Sequence, residues 1–304
     1  MSLDLKTVSV VLTSGSLRDP AGRKEIFLKT IQSFLKFNTY PIEKFIITED
    51  SPCFASLGEI MALLTKNPLI QEAVLLDDGK NRGQAYRIDQ GYSLVESEFV
   101  FHCEEDWEFV KYGFIETSLD VLNDADIFSV QLHGYHDYTS PSWGDQGWSI
   151  VDAPHLSLKN PIEPFMMLGE TEYNTSEGAY PFLVPNEKKF KKFIKSWNDA
   201  FVGFSFNPHL KRLKDYKSIG CYATLLDTTD YICPHFGVND EGCDAATHIE
   251  IVAGWHYSAQ GFNFTVTKEK YVTHIGIDDR DTHFYPVATG TQRGPKADYL
   301  KNKK

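Results

Sequence analysis

The sequence predicts a largely parallel α/β sheet flanked by helices. Two observations lead there: β-branched runs ending in turn residues alternate with segments whose apolar residues recur at helical spacing, and this alternation repeats through residues 7–103. Parallel neighbours need helical crossovers of about this length, so repeated strand–helix units point to a parallel sheet. At 304 residues, with 42% hydrophobic and 24% charged side chains, the chain can build one large domain with a substantial core.

The elements follow in order. TVSVVLTSG (7–15) is a β-branched strand, and Ile26, Phe27, Ile31, Phe34 and Leu35 then repeat at helical spacing. EKFIITED (43–50) is a second strand, SLGEIMALLTK (56–66) a helix and IQEAVLLDD (70–78) a third strand. GQAYRIDQGYSLVES (83–97) is a helix and EFVFHC (98–103) a fourth strand. In such sheets ligands bind at the carboxyl ends of the strands. The residues gathered there are Thr13, Ser14 and Gly15, then Glu49 and Asp50, Asp77 and Asp78, and finally Glu104, Glu105 and Asp106. An edge this acidic needs a compensating cation. Glu104 and Asp106, two apart in an extended segment, point to one side and can share a hard divalent ion such as Mg²⁺ or Mn²⁺, while the bland alternative is a solvated loop. Asp77 and Asp78 also fit a turn before Gly79.

Composition limits the partners. Lys+Arg 30 against Asp+Glu 42 gives a formal net charge of -12, which opposes binding to a nucleic-acid backbone. The N-terminus lacks a basic segment followed by a long apolar one, and no apolar run approaches the ~20 residues of a membrane span, so the expected location is cytoplasmic. Five cysteines, Cys53, Cys103, Cys221, Cys233 and Cys243, form no Cys-x-x-Cys pair and suit reduced thiols.

The order VSVVLTSG, FIITEDSP, NRGQAYRIDQG, EFVFHCEEDWEF resembles the nucleotide-sugar-binding half of glycosyltransferases with the GT-A fold, closest to the inverting family 2 type. The resemblance covers residues 7–109 well and the rest in fragments. It implies one GT-A-like domain spanning 1–304, with residues 1–110 binding the sugar donor and 111–304 binding a carbohydrate or glycoconjugate acceptor. Thr13 and Glu49 or Asp50 would contact the nucleoside. Asn81, Gly83, Ala85 and Gly91 match the family's Asn-x-Gly segment, but Ile88-Asp89 stands where the family has Arg-Asn, with Arg87 one place early. One helical position rotates a side chain by about 100°, so Arg87 need not keep the family's role toward the donor. Glu104 and Asp106 match the ends of the Asp-x-Asp motif. Asp106 would ligate Mn²⁺ or Mg²⁺, with Glu104 accepting from a metal-bound water or the ribose.

In the second half, residues 132–182 are dense in aromatics, His, Gly and Pro with little periodicity, and predict ordered loops. Tyr135, Tyr138, Trp143 and Trp148 suit a sugar ring or loop-anchoring packing equally. EKKFKKFIKSW (187–197) predicts a short helix whose lysines suit a solvated face, peripheral contact with an anionic membrane, or a diphosphate. FVGFSFNPHLKRLKDYKSIG (201–220) predicts a strand, then Asn207 as helix N-cap and Pro208 at the first helical position, with Arg212 in reach of a phosphate. The stretch 239–266 is similar to the family's acidic segment, and counting back from Gly261-Phe262 places Glu250 where the general base stands. The family often has Glu-Asp there against Ile249-Glu250 here, and Asp240, Glu241 and Asp244 are nearby. KYVTHIG (270–276) is a strand ending in His274, which resembles the C-terminal histidine that supplies a further metal ligand in some GT-A enzymes.

Two rivals compete with glycosyl transfer. Cys233, His235, Cys243 and His248 have the chemistry of a tetrahedral zinc site in a binding module, although their spacing matches no common signature. A nucleotidyltransferase on the same fold would use SGSLRDPAGRK (14–24), with Arg18, Arg23 and Lys24, as its phosphate loop.

Overall fold

The computed structural model of the chain describes residues 5–14, 20–50, 55–80, 82–133, 149–150, 155–159, 168–175, 178–185, 203–225, 245–267 and 269–276. The first half follows the predicted order: β1 (Val8–Ser14), α1 (Pro20–Phe37), β2 (Ile42–Glu49), α2 (Ala55–Lys66), β3 (Ile70–Leu76), α3 (Gln84–Tyr92) and β4 (Phe99–Glu104). A short β5 (Trp107–Phe109), α4 (Phe114–Val121) and β6 (Ile127–Gln131) come next. Then come β7 (Ser149–Ile150), β8 (His155–Lys159), β9 (Leu168–Thr175), β10 (Gly178–Pro185) and β11 (His209–Arg212). The chain continues with α5 (Leu213–Lys217), α6 (Tyr222–Leu225), α7 (Ala245–Ala259), β12 (Asn263–Thr267) and β13 (Val272–His274).

Nine of these strands form one sheet in the order β3-β2-β1-β4-β11-β6-β12-β8-β7. β1 to β4 are mutually parallel, and β11 and β8 run against the other seven. The protein is thus an α/β fold on a mostly parallel sheet. Both faces are covered, which is why β1 reads as an unbroken apolar and β-branched run and is buried throughout. Val8, Val10 and Leu12 meet Phe27, Ile31 and Phe34 of α1, Leu57 and Ile60 of α2, and Phe114 of α4 on one face. Val11, Ile46 and Val100 meet Ala85, Ile88 and Tyr92 of α3 and Ile249, Val252 and Tyr257 of α7 on the other. Each such large apolar side chain contributes about 1.5–3 kcal/mol by leaving water.

α3 lies close on the sheet because of Gly91. A Cβ there would sit 2.5 Å from Val11 Cγ1 and 3.0 Å from Thr48 Cγ2. Gly91→Ala is therefore expected to destabilise the fold by about 1–3 kcal/mol in urea unfolding, because the overpacking outweighs the ~1 kcal/mol gain in helix propensity.

Three sequence expectations are corrected. α3 ends at Tyr92 rather than 97, since Leu94 and Val95 N–H groups close tight turns onto Gly91 and Tyr92 carbonyls (both 3.1 Å) and Val95 tucks into the core. The 201–220 segment holds its strand at His209–Arg212, antiparallel between β4 and β6. Asn207 caps no helix, because the pairing partners of this strand supply hydrogen bonds that the local sequence does not reveal. Arg212 faces the edge opposite the candidate site, opposite Phe99 in register, and donates to Asp215 and to the carbonyls of Leu122, Asp124, Ala125 and Ile127. The third correction is within 132–182, predicted as loops, where β7 to β10 form; β9 and β10 make a separate antiparallel pair. Among the described residues no helix is long and apolar enough to cross a membrane.

Candidate active site

The carboxyl ends of β1, β2 and β4 lie side by side. Thr13 stands opposite Thr48 on one side and Glu104 on the other, and Ser14 stands opposite Glu49. Strand alternation puts Thr13 and Glu104 toward α3 and α7, and Ser14 and Glu49 toward α1 and α2. The four strand-end positions besides Glu104 are under 5% exposed: Thr13 4%, Ser14 3%, Thr48 0% and Glu49 0%. Thr13 Oγ1 and Ser14 Oγ find no hydrogen-bond partner among the described residues. A buried polar atom left unpaired costs about 1–3 kcal/mol, which marks this edge as a place where a polar ligand would be stabilised.

β4 ends on the acidic triplet, and its members diverge. The Glu105 carbonyl accepts a hydrogen bond from Thr30 Oγ1 of α1 at 2.6 Å, which anchors the turn. Glu104 Oε1 accepts from the Gln84 amide at the start of α3, and Trp107 Nε1 lies 3.4 Å from its Oε2. Asp106 accepts from His274 Nε2 through Oδ2 at 3.2 Å, and its Oδ1 has no partner among the described residues. The pairing of β13 with β5 makes this contact. It sets His274 opposite Trp107, brings the two ring centres to 4.8 Å with the planes tilted by 53°, and ties Ile275 N to the Asp106 carbonyl at 2.8 Å.

Glu250, in the second turn of α7, completes the edge. Ser205 Oγ and Phe206 N both donate to its Oε1, at 2.8 and 2.7 Å. Burial first, then the charges of Asp106, Glu105 and Glu250, push the Glu104 carboxyl well above the ordinary carboxylate range. Four carboxylates therefore share one electrostatic neighbourhood although Glu104 and Glu250 are far apart in sequence. Such a neighbourhood favours a cation, which would lower the Glu104 carboxyl again. Among the described residues no group of three or more metal-capable side chains gathers. Asp106 and His274 offer an oxygen and an imidazole nitrogen, and with Asp106 Oδ1, which has no partner among the described residues, they would fit part of a Mn²⁺ or Mg²⁺ shell whose remainder water and substrate oxygen would supply.

Other predicted residues serve the framework of the site. Asp50 Oδ1 accepts from Arg82 N at 2.6 Å and its Oδ2 from Gly83 N at 2.9 Å, so this carboxylate anchors the entrance to α3, where Gly83 takes φ +90°. Arg87 is buried and donates to Asp50 Oδ1 (3.1 Å), Asp78 Oδ1 (2.5 Å), the Lys80 carbonyl (2.5 Å) and Gln90 Oε1 (2.8 Å). Its guanidinium is committed to the loop before α3, and the two Arg partners hold the Asp78 carboxyl well below the ordinary range. The departure at Ile88-Asp89 has a packing reason. Ile88 lies in the core, and Asp89 turns away from the edge to accept from Tyr216 Oη, Tyr222 N and Ala223 N, with burial raising its carboxyl to about 6. Asn81, the aromatics Tyr135, Tyr138, Trp143 and Trp148, the 187–197 segment, and Asp240, Glu241 and Asp244 lie outside the described residues, as do Cys233, His235 and Cys243 and the centre of the 14–24 loop.

Sequence reasoning missed Gln84 and Ser205. Neither carried a local signal, because their partners Glu104 and Glu250 are 20 and 45 residues away.

No family profile matches the chain, and no curated protein matches it. Among solved structures the chain is similar to S. aureus TarS residues 1–349, at 11% identity and a TM-score of 0.43, covering 88% of this chain and 59% of that one. It is similar to the same fragment in complex with UDP-GlcNAc at 10% identity and a TM-score of 0.43, covering 92% and 62%. A further TarS structure matches at 10% and 0.41, covering 88% and 36%. The chain spans less than two thirds of each of these. At these scores the likeness carries no argument, and the fold stands on the strand pairing described above.

Proposed function

We propose that the protein is a glycosyltransferase that moves a sugar from a nucleoside-diphosphate sugar to an acceptor hydroxyl, with inversion. The observation that carries this reading is the convergence of Glu250 with the Glu104–Asp106–His274 group on one strand edge, beside the Thr13 and Ser14 hydroxyls, which have no partner among the described residues. Thr13 and Glu49 would face the nucleoside, and Asn81 would contact the donor. Asp106 and His274 would hold Mn²⁺ or Mg²⁺, which when bound offsets the charge of the departing diphosphate. Glu250 takes the proton of the acceptor hydroxyl as that oxygen bonds the anomeric carbon and the bond from that carbon to the diphosphate breaks. Ser205 O–H and Phe206 N–H aim one carboxylate oxygen.

Isothermal titration with UDP, GDP, CDP and dTDP, each with and without Mn²⁺, tests the donor site. One nucleotide is expected to bind in a metal-dependent way, and Asp106→Asn should weaken that binding about tenfold or more by removing a charged ligand. Failure of every nucleotide to bind would exclude the reading.

A further inference from the structure

We propose that Lys211 and His209, buried in the core behind the candidate site, are positioning residues for Glu250; this rests on the reading of Glu250 as the base. The two alternate on β11 and so share the sheet face that carries α3 and α7. Both are 0% exposed. Lys211 Nζ sits 4.7 Å from the Tyr92 ring centre and 5.4, 5.6 and 5.9 Å from those of Tyr222, Phe204 and Phe128. Among the described residues no carboxylate is in ion-pair contact with it. A lysine held this way costs stability that an apolar side chain would not, so its donor function needs a reason.

The hydrogen bonds supply one. Lys211 Nζ donates to His209 Nε2 at 2.7 Å, which leaves the imidazole proton on Nδ1, and Nδ1–H donates to the Asn207 carbonyl at 2.7 Å. Burial, then the neighbouring Lys211, holds that imidazole neutral. Asn207 N–H donates to Ser205 Oγ at 3.2 Å, and Ser205 O–H donates to Glu250 Oε1 at 2.8 Å. Every donor direction agrees, so the buried pair holds the Asn207 backbone whose N–H meets the Ser205 oxygen and leaves the hydroxyl proton for Glu250. A second route reaches the helix that bears Glu250. Lys211 Nζ donates to Tyr222 Oη at 3.3 Å, and Tyr222 Oη is 3.0 Å from Tyr257 Oη of α7. Lys211 thereby holds both the loop that grips the carboxylate and the helix that carries it.

The test is turnover of UDP-glucose, UDP-N-acetylglucosamine, GDP-mannose and dTDP-glucose with water as acceptor, in Mn²⁺, read as release of nucleoside diphosphate alongside the melting temperature. For the donor the native protein uses, Ser205→Ala and Lys211→Met are each expected to lower kcat about five- to twentyfold with donor KM within about twofold. Ser205→Thr should restore the rate. The Ser205→Ala/Lys211→Met pair should cost little more than one change alone, because both act through one chain. A purely structural lysine would lower the melting temperature and leave kcat unchanged. Full kcat in both single variants, with Glu250→Gln inactive, would overturn the positioning role and leave the base. Should Lys211→Met fail to fold, Ser205→Ala and its rescue decide. Absence of turnover in the native protein, or full turnover in Glu250→Gln, would remove the base and overturn this proposal with it.

Discussion

Glu250→Gln is expected to reduce kcat by about 10²–10⁴-fold while leaving nucleotide affinity intact or slightly improved. The geometry makes glutamine a clean probe. Its carbonyl oxygen can still accept from Ser205 Oγ and Phe206 N, so the side chain stays where the glutamate was. Its amide cannot take a proton at neutral pH. Glu250 is also one of the charges felt at the Glu104 carboxyl, so neutralising it removes a negative charge from the edge that would receive the diphosphate. Turnover kinetics and nucleotide titration on the same preparation check both halves. A parallel fall in affinity and rate would assign Glu250 to donor binding instead.

Arg87→Leu is expected to cost about 2–4 kcal/mol of folding stability by urea unfolding. Breaking a fully buried ion pair from one side costs about 3–5 kcal/mol, because the surviving charge has lost its partner. Here the cost is smaller. Asp50 keeps the N–H groups of Arg82 and Gly83, and Asp78 keeps Arg82 and has a side chain 32% exposed. Replacing Asp50 by Asn in the Arg87→Leu background should recover part of the loss, since the amide buries no charge. An Arg87→Leu protein as stable as the native one would show that this network is not what seats α3 on the sheet.

Local pattern and tertiary context divided the determination of this protein between them. Residues 7–104 declare their elements because the unbroken β-branched run in VSVVLTS and the helical spacing of Phe27, Ile31 and Phe34 are properties of neighbours in the chain. The rule that ligands meet the carboxyl ends of parallel strands then gathered Thr13, Ser14, Gly15, Glu49, Asp50, Asp77, Asp78 and the Glu104–Asp106 triplet as candidates. The resemblance named His274 as a further ligand, but no local pattern in Glu-Glu-Asp shows how it would reach Asp106. His274 stands 168 positions beyond Asp106, and only the pairing of β13 with β5 brings the two together.

The same limit explains Asp50 and Arg87. Their residue types suit a ligand edge, but which hydrogen bonds they make depends on where the loop before α3 lands, and that loop takes up their donors and acceptors. It also explains His209–Arg212, a strand whose hydrogen-bond partners lie in β4 and β6. Sequence alone determined the order of the early elements and the chemistry offered at their ends, because both rest on short-range periodicity. The tertiary structure decided which of those groups face one another and which are already satisfied, because hydrogen-bond partners and shared charge are set by packing between segments distant in the chain.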